Sequence, residues 1–419
     1  MDKDMASGQG SNSVQIRQFN QRVVLAHLRR LGRASKSDIA RLTNLTANAA
    51  GMIVRHLEAE GLVVSHGKKY AGTRGQPATM LSLNPAGAYA VGVRLDRRGI
   101  ETVLVDFCGE IIVRHAHDII LPEPDSAFAI VSADIQACIG SLPADRRRRV
   151  VGIGIAMPYN LGKWLRELEL TGPQFRLWDE IDVAAEVARR TGLTTVLEND
   201  GTAAAVAELF YGIGRGVDDF LYLFVGPAIG GGVVLGGNYL RGRHGNAGDV
   251  ATIPVGPSRL SSAPRPARSH DILITRASIN SLIRHLADAG HPVDGRADLE
   301  AVLDRDPAAV AEWIEDCVDA LVAPIYAAAA LLDMDVVIVD SDPAGPLLDR
   351  IVRHLDRRLA DEVPEGRTPP SLRIGSFGVD AAAIGAATLP FHLTYSPSHD
   401  ILIGRVARPM EERIDVTTF

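Results

Sequence analysis

The chain has 419 residues, 46% of them hydrophobic and 23% charged, an ordinary composition for a soluble globular protein of two or three domains. Its net charge is −7, yet residues 1–83 hold twelve Lys or Arg against five Asp or Glu, which is +7 and leaves −14 for the rest; that split predicts a polyanion partner for the small basic module alone. The first twenty residues are polar and give no secretion signal, and Cys108, Cys138 and Cys317 lie too far apart in sequence for a metal motif, so a reducing cytoplasm is expected.

In chain order, apolar residues at helical spacing (Phe19, Val23, Leu25, Ala26, Leu28) predict a helix over 14–31, stopped by Gly32. Ser35 followed by Asp38 is a capping-box variant that opens a second helix, and Thr46 is a good N-cap for a third, longer one ending near Gly61. Leu62–Val64 and Ala78–Leu83 read as the strands of a hairpin with a basic tip. Helix, turn, helix and wing make residues 14–83 a winged helix-turn-helix, which lays its third helix in the DNA major groove. Thr46, Asn48 and Ala49, with Arg55 further along, face the bases in this reading. Asn48 suits adenine, and Ser35, Lys36, Lys68, Arg74 and Gln76 suit phosphate or the minor groove.

The body begins with a three-strand meander (89–95, 100–107 and 111–115). Helices and strands then alternate: helix 127–139, strand 150–157, helix 183–190 and strand 195–197. A similar order recurs after residue 200, with a hairpin over 220–237, a helical region over 276–332, a strand at 336–339, a helix over 345–359, and a last strand and helix in 372–388. This is an α/β layered pattern of two lobes with a cleft between them. The uncharged run Phe220–Leu240 is long enough for a membrane span, but its glycines and alternating Phe220, Tyr222 and Phe224 read as a buried hairpin. The polar trio Glu198, Asn199 and Asp200 ends one strand, where it can face an uncharged polar ligand. The turn Gly226–Gly232, with Gly226, Gly230, Gly231 and Gly232, leaves bare backbone N–H groups that suit a phosphate.

The segments LENDGTAAAVAE, GPAIGGGVVLGG and NAGDV, in that order after Leu177-Trp178, resemble those of the ROK family of repressors and sugar kinases, and the resemblance spans residues 14–390. It implies a two-lobed body of the actin/hexokinase type. The first lobe is expected over 86–200, with the segment from about 375 returning to it, and the second over 201–374. It also implies that Asn199 and Asp200 hold sugar hydroxyls, that Asp200 is the relic of the kinase base, that Asp249 stands for a sugar-binding Glu, and that Thr252 stands where the family has His. The phosphate-binding turn is replaced by Asp96-Arg97-Arg98-Gly99-Ile100, Pro227 stands where a Thr is usual, and Asp340-Ser341 replaces a Gly-Gly pair beside adenosine. The zinc cluster that supports the family's sugar-binding segment is missing, since 254–274 holds no Cys. The resemblance with these departures implies a sugar-responsive repressor of carbohydrate genes that binds operator DNA as a homodimer or homotetramer. It would use no cofactor and no metal, have no catalytic residue, touch no membrane, and take a small sugar or sugar phosphate as effector. An active sugar kinase and a body that recruits a protein instead of a sugar are the alternatives. The segment after Phe391, with strand-like Ile401–Val406, carries no functional reading.

Overall fold

A computed structural model of the chain describes residues 13–69, 78–165, 168, 170–266, 269–343 and 345–402. Its first part is α1 (Ser13–Leu31), β1 (Ala34–Ser35), α2 (Lys36–Leu42), α3 (Ala47–Ala59), β2 (Val63–Lys69) and β3 (Ala78–Leu83). Gly32, with φ of 73°, ends α1, and the Ser35–Asp38 box starts α2: the Asp38 N–H donates to Ser35 Oγ and the Ser35 N–H donates to the Asp38 carboxylate. The Thr46 hydroxyl accepts from the Ala49 N–H and caps α3. Beyond the expected elements, Ala34 and Ser35 pair with Leu81 and Met80, so the hairpin is a three-stranded sheet of order β1-β3-β2.

This module is not an appendage. Its core residues Val24, Leu25, Leu28, Ile39, Val54 and Leu57 form one apolar cluster with Ala90, Val103, Phe107, Ala387, Phe391 and Tyr395 of the body. Arg29 is buried with its guanidinium 5.4 Å from the Phe107 ring and 4.9 Å from the Phe210 ring. Arg22 donates to the carbonyls of Leu393 (3.1 Å) and Ser396 (3.2 Å).

The body opens with β4 (Tyr89–Asp96), β5 (Gly99–Asp106) and β6 (Ile111–His117). It continues through α4 (Pro124–Gly140), α5 (Ala144–Arg147), β7 (Val150–Met157), α6 (Gln174–Leu177), α7 (Val183–Thr191) and β8 (Thr195–Asn199). These strands make one sheet of order β6-β5-β4-β7-β8, with an antiparallel meander and parallel β4-β7-β8 pairs. α8 (Asp200–Phe210) leads to the second sheet. There follow β9 (Phe220–Val225), β10 (Ile229–Leu235), β11 (Asn238–Tyr239), β12 (Pro254–Val255), β13 (Asp271–Ile272), α9 (Leu273–Arg276), α10 (Ile279–Asp288), α11 (Arg296–Arg305), α12 (Ala308–Leu332), β14 (Val336–Ser341), α13 (Pro346–Asp361) and β15 (Ser371–Ile374). The second sheet has the order β11-β10-β9-β14-β15, so Phe220–Leu240 is a hairpin as read, and no described helix is long and apolar enough to cross a membrane.

The chain ends its described course with α14 (Ala381–Tyr395) and α15 (His399–Leu402). Ile401 and Leu402 are therefore helical rather than strand-like, and the rest of that expected strand lies outside the described residues. α14 packs on β4, β5 and β7 of the first sheet and on α8, which in turn packs on β10 of the second. Two sheets thus flank a central pair of small-residue helices. The contacts are backbone to backbone: a β-carbon on Gly385 would lie 1.7 Å from the Ala203 carbonyl oxygen, and one on Gly154 would lie 1.8 Å from that of Ala386.

Candidate functional site

The parallel pair β7-β8 ends at Met157 and Asn199, and α8 starts at once with Asp200, so the polar trio sits at the carboxyl end of a parallel strand and the N-terminus of a helix. Asn199 Oδ1 accepts from the N–H groups of Gly201 (2.9 Å) and Thr202 (3.3 Å), which caps α8 and leaves its amide N–H₂ to serve a ligand. Asp200 Oδ1 accepts from the Gly201 N–H at 2.8 Å. Burial, and then the nearby Asp96 carboxylate, push the Asp200 carboxyl above the usual aspartate range, opposed by the Gly201 N–H and by Arg97 and Arg94. Glu198 takes another part: it is buried and pairs with Arg241 Nε at 2.6 Å, which ties the 241–248 segment to the end of β8. Arg241 carries no motif, so the sequence reading missed it.

Gly230, Gly231 and Gly232 lie inside β10, paired with Phe224, Leu223 and Tyr222, so the expected long turn contracts to Gly226-Pro227-Ala228. A β-carbon on Gly201 would come within 2.3 Å of the Gly231 carbonyl oxygen, and one on Gly232 within 2.6 Å of that of Gly201. A β-carbon on Gly231 would stand 2.8 Å from the Gly248 carbonyl oxygen. Glycine at 231 and 232 therefore serves close helix-to-strand packing rather than a phosphate cradle, and of the three only Gly230 borders open space. The same contacts bring Asp200 and Asp249, each one residue from a touching glycine, near one another. Asp249 is exposed and accepts from Asn246 Nδ2 at 3.1 Å; the Thr252 hydroxyl donates to the Asp249 carbonyl at 3.1 Å, so it braces the turn.

The three expected departures on the nucleotide side have distinct geometries. The Arg97 N–H donates to its neighbour's Asp96 Oδ1 at 2.6 Å, which occupies a donor that the turn would offer to phosphate. The Arg97 side chain is buried and donates to the carbonyls of Leu161 (3.0 Å), Asn160 (3.2 Å) and Lys163 (3.2 Å), bolting that loop onto the β4-β5 turn. Sequence alone reads Arg97 as an obstruction; it is also a tie. Pro227 has no N–H to give, and the Gly226 carbonyl accepts from the Ile279 N–H at 2.7 Å. Asp340 is buried, and its carboxylate accepts from the N–H groups of Ser341 (2.9 Å) and Gly378 (2.8 Å). Burial holds its pKa above the usual range. Asp340, Ser341, Gly345, Arg296 and Gly378 line a cavity of about 390 Å³ where the resemblance puts adenosine. Among the described residues no three His, Cys, Asp or Glu side chains gather as metal ligands.

On the module, Asn48, Met52 and Arg55 are exposed along one face of α3, with Lys36 exposed at the start of α2. Met52 carries no sequence signal for that face; the structure alone places it there. Ser35 corrects the expected phosphate contact: it is 5% exposed and its hydroxyl is closed into the capping box with Asp38 and Ser37. Thr46 is exposed with its hydroxyl in the α3 cap, and Ala49 is half-buried. Lys68 lies within β2, one residue before its end, while Arg74 and Gln76 lie outside the described residues.

The model of the ROK family matches residues 90–392. The chain is 25% identical, over 85% of its length and 86% of the other's, to an uncharacterised protein y4fQ of Sinorhizobium fredii. It is 24% identical to the DNA-binding transcriptional repressor Mlc of Escherichia coli over 67% of this chain and 68% of that one. It is 22% identical to the xylose repressor of Bacillus subtilis over 57% of this chain, which spans 61% of that repressor's length. Glucokinases are also similar to it. Among solved structures, that of a ROK family transcriptional regulator, described as a homologue of the E. coli Mlc protein, superposes with a TM-score of 0.65 at 23% identity, covering 93% of this chain and all of that one.

Proposed function

The chain belongs to the ROK family, and from that premise we propose that it is a sugar-responsive transcriptional regulator, a repressor of carbohydrate-uptake or catabolic genes that has lost kinase activity. Operator DNA is its partner, and a small sugar or sugar phosphate bound in the cleft is its effector. Asn199, Asp200, Asp249 and Thr252 form the effector side. No zinc or nucleotide is needed, and the protein works as a homodimer or homotetramer whose two reading helices span about 34 Å, one turn of DNA.

One observation supports the reading: Asn199 and Asp200 each use a single side-chain oxygen to hold the start of α8, which leaves the Asn199 amide N–H₂ and the second Asp200 oxygen to a ligand, while the groups that would hold a phosphate are spent within the protein. The Arg97 N–H is held by Asp96, Pro227 has no N–H, and Gly231 and Gly232 are packed against α8 and the 248 turn. Phosphoryl transfer depends on positioned donors and charge neutralisation, so their loss weakens a kinase more than a sensor. A basic module that shares a core with this body gives effector binding a path to DNA.

Gel shifts with DNA from upstream of the gene test it. Asn48→Ala is expected to relax base preference at one position at a cost of about 1–3 kcal/mol, whereas Lys36→Ala weakens all sequences alike and lowers the salt slope by roughly one. Binding to upstream DNA no tighter than to random DNA contradicts the reading. A sugar kinase is the second reading, favoured by the cavity of about 390 Å³ beside Asp340 and by similarity to glucokinases. Sugar-dependent ADP release that vanishes in Asp200→Asn establishes that one instead.

A further inference from the structure

The residues between the effector turn and α12 hold a buried charge cluster that the reading above does not use. Arg276, at the end of α9, is 2% exposed. Its Nε donates to Asp316 Oδ2 at 3.0 Å, its Nη2 to Asp316 Oδ1 (2.8 Å), the Asp316 carbonyl (2.9 Å) and Asp319 Oδ2 (2.8 Å), and its Nη1 to the Gly256 carbonyl (2.8 Å). Asp316 also accepts from the Ser258 hydroxyl (3.0 Å) and the Arg259 N–H (3.3 Å). The planar guanidinium and one carboxylate thus gather α9, α12 and the 256–259 loop at a single point.

The Asp249–Thr252 and Gly226–Ala228 turns are both moored to this point. The Leu273 N–H, opening α9, donates to the Ile253 carbonyl at 3.0 Å, directly after the Asp249–Thr252 turn, and α9 packs on that turn. β12 and β13 pair Pro254 with Ile272 and Val255 with Asp271. On the other side the Ile279 N–H, three residues past Arg276, holds the Gly226 carbonyl, and the Ser281 hydroxyl donates to the Arg276 carbonyl at 3.0 Å. A buried ion pair of this kind adds little net stability, because desolvation of the two charges offsets their attraction. Its five directed bonds instead specify where the strands around it lie.

The resemblance to the ROK family implies a zinc cluster in this segment, and the donors here do not fit one. Residues 254–274 offer no Cys, one His (His270) and one acidic residue, Asp271, whose Oδ2 already accepts from the Ser258 N–H at 2.9 Å. We propose that the Arg276–Asp316 pair is a metal-free clamp that positions the Asp249–Thr252 and Gly226–Ala228 turns, and through them sets the effector affinity. The clamp stands on its own geometry; only its consequence for affinity rests on the sugar-binding reading.

The test compares wild type, Arg276→Lys and the apolar pair Arg276→Met/Asp316→Leu by amide exchange, thermal melting, and calorimetry with D-xylose and D-glucose. The apolar pair is expected to keep the melting temperature and to exchange about tenfold faster in 226–229 and 249–262, with β4, β7 and α14 unchanged. Arg276→Lys, which keeps the charge but not the fork, falls between the two. Where a sugar binds wild type, its affinity drops about tenfold in the apolar pair. EDTA leaves the wild-type exchange pattern unaltered. Unchanged exchange in both turns, loosening spread evenly through the lobe, or loosening of wild type by EDTA each overturns the clamp. Loosened turns in a chain whose wild type binds neither sugar uphold the clamp and count against the sugar reading.

Discussion

Asp200→Asn is expected to raise the melting temperature of the free protein at pH 7 while weakening effector binding by roughly 10- to 100-fold, since a hydrogen bond to a charged acceptor is worth about 1.5–3 kcal/mol. The two effects have one cause. Burial, with Asp96 adding to it, raises the folded pKa of Asp200 above its ordinary value. The native state therefore binds this proton more tightly than the unfolded chain does. Stability from this group is fully present below the ordinary aspartate range and is lost as pH rises through the elevated folded value. Near neutral pH the buried carboxyl is therefore a cost to the free fold. Asparagine keeps an oxygen for the Gly201 N–H, carries no charge, and offers the ligand a weaker acceptor. Melting curves at pH 4 and pH 7 with calorimetry at pH 7 check this. The variant's stability advantage should shrink at pH 4, and an Asp200→Asn chain less stable than wild type at pH 7 refutes the assignment.

Gly385→Ala is expected to leave no folded protein, a loss of about 4 kcal/mol or more against the 1–3 kcal/mol usual for an added methylene in a core. The new β-carbon would stand 1.7 Å from the Ala203 carbonyl oxygen, an atom of backbone that cannot rotate away. α14 cannot retreat either, because its other face meets β7 with equal closeness at Gly154 and Ala386. Gly140→Ala, at a helical glycine with nothing within 4 Å of the added carbon, is the control and should melt at or slightly above wild type. Soluble yield and circular dichroism separate the two outcomes.

Local signals carried much of the fold. Val150–Met157 was read to the residue because a buried strand announces itself as an apolar run between turns. The capping box at Ser35 was legible from two residues three apart. That same box removed Ser35 from the DNA face, since a hydroxyl committed to a helix start cannot also meet phosphate. The strand end at Asn199 and the helix start at Asp200 were legible because polar residues abruptly end an apolar strand. What failed was non-local. Gly231 and Gly232 look like a turn in sequence, but they are strand glycines made necessary by a helix arriving from thirty residues earlier. Arg29 looks like one more surface charge of a basic module, yet it is buried between Phe107 and Phe210 and joins that module to the body. Arg276 carries no motif, and Arg97 reads only as a change in one; the bonds both make depend on carbonyls and carboxylates about twenty to sixty-six positions away.

In the proposed reading this protein grips a sugar and does not grip a nucleotide. The most direct measurement is its thermal shift against a panel of hexoses, pentoses and N-acetyl amino sugars, alone and with Mg-ATP, with ADP followed in the same wells. The account predicts that at least one sugar raises the melting temperature with concentration, as binding to the folded state alone requires, and that ATP adds neither a shift nor turnover. A shift produced by ATP together with sugar-dependent ADP release would contradict it.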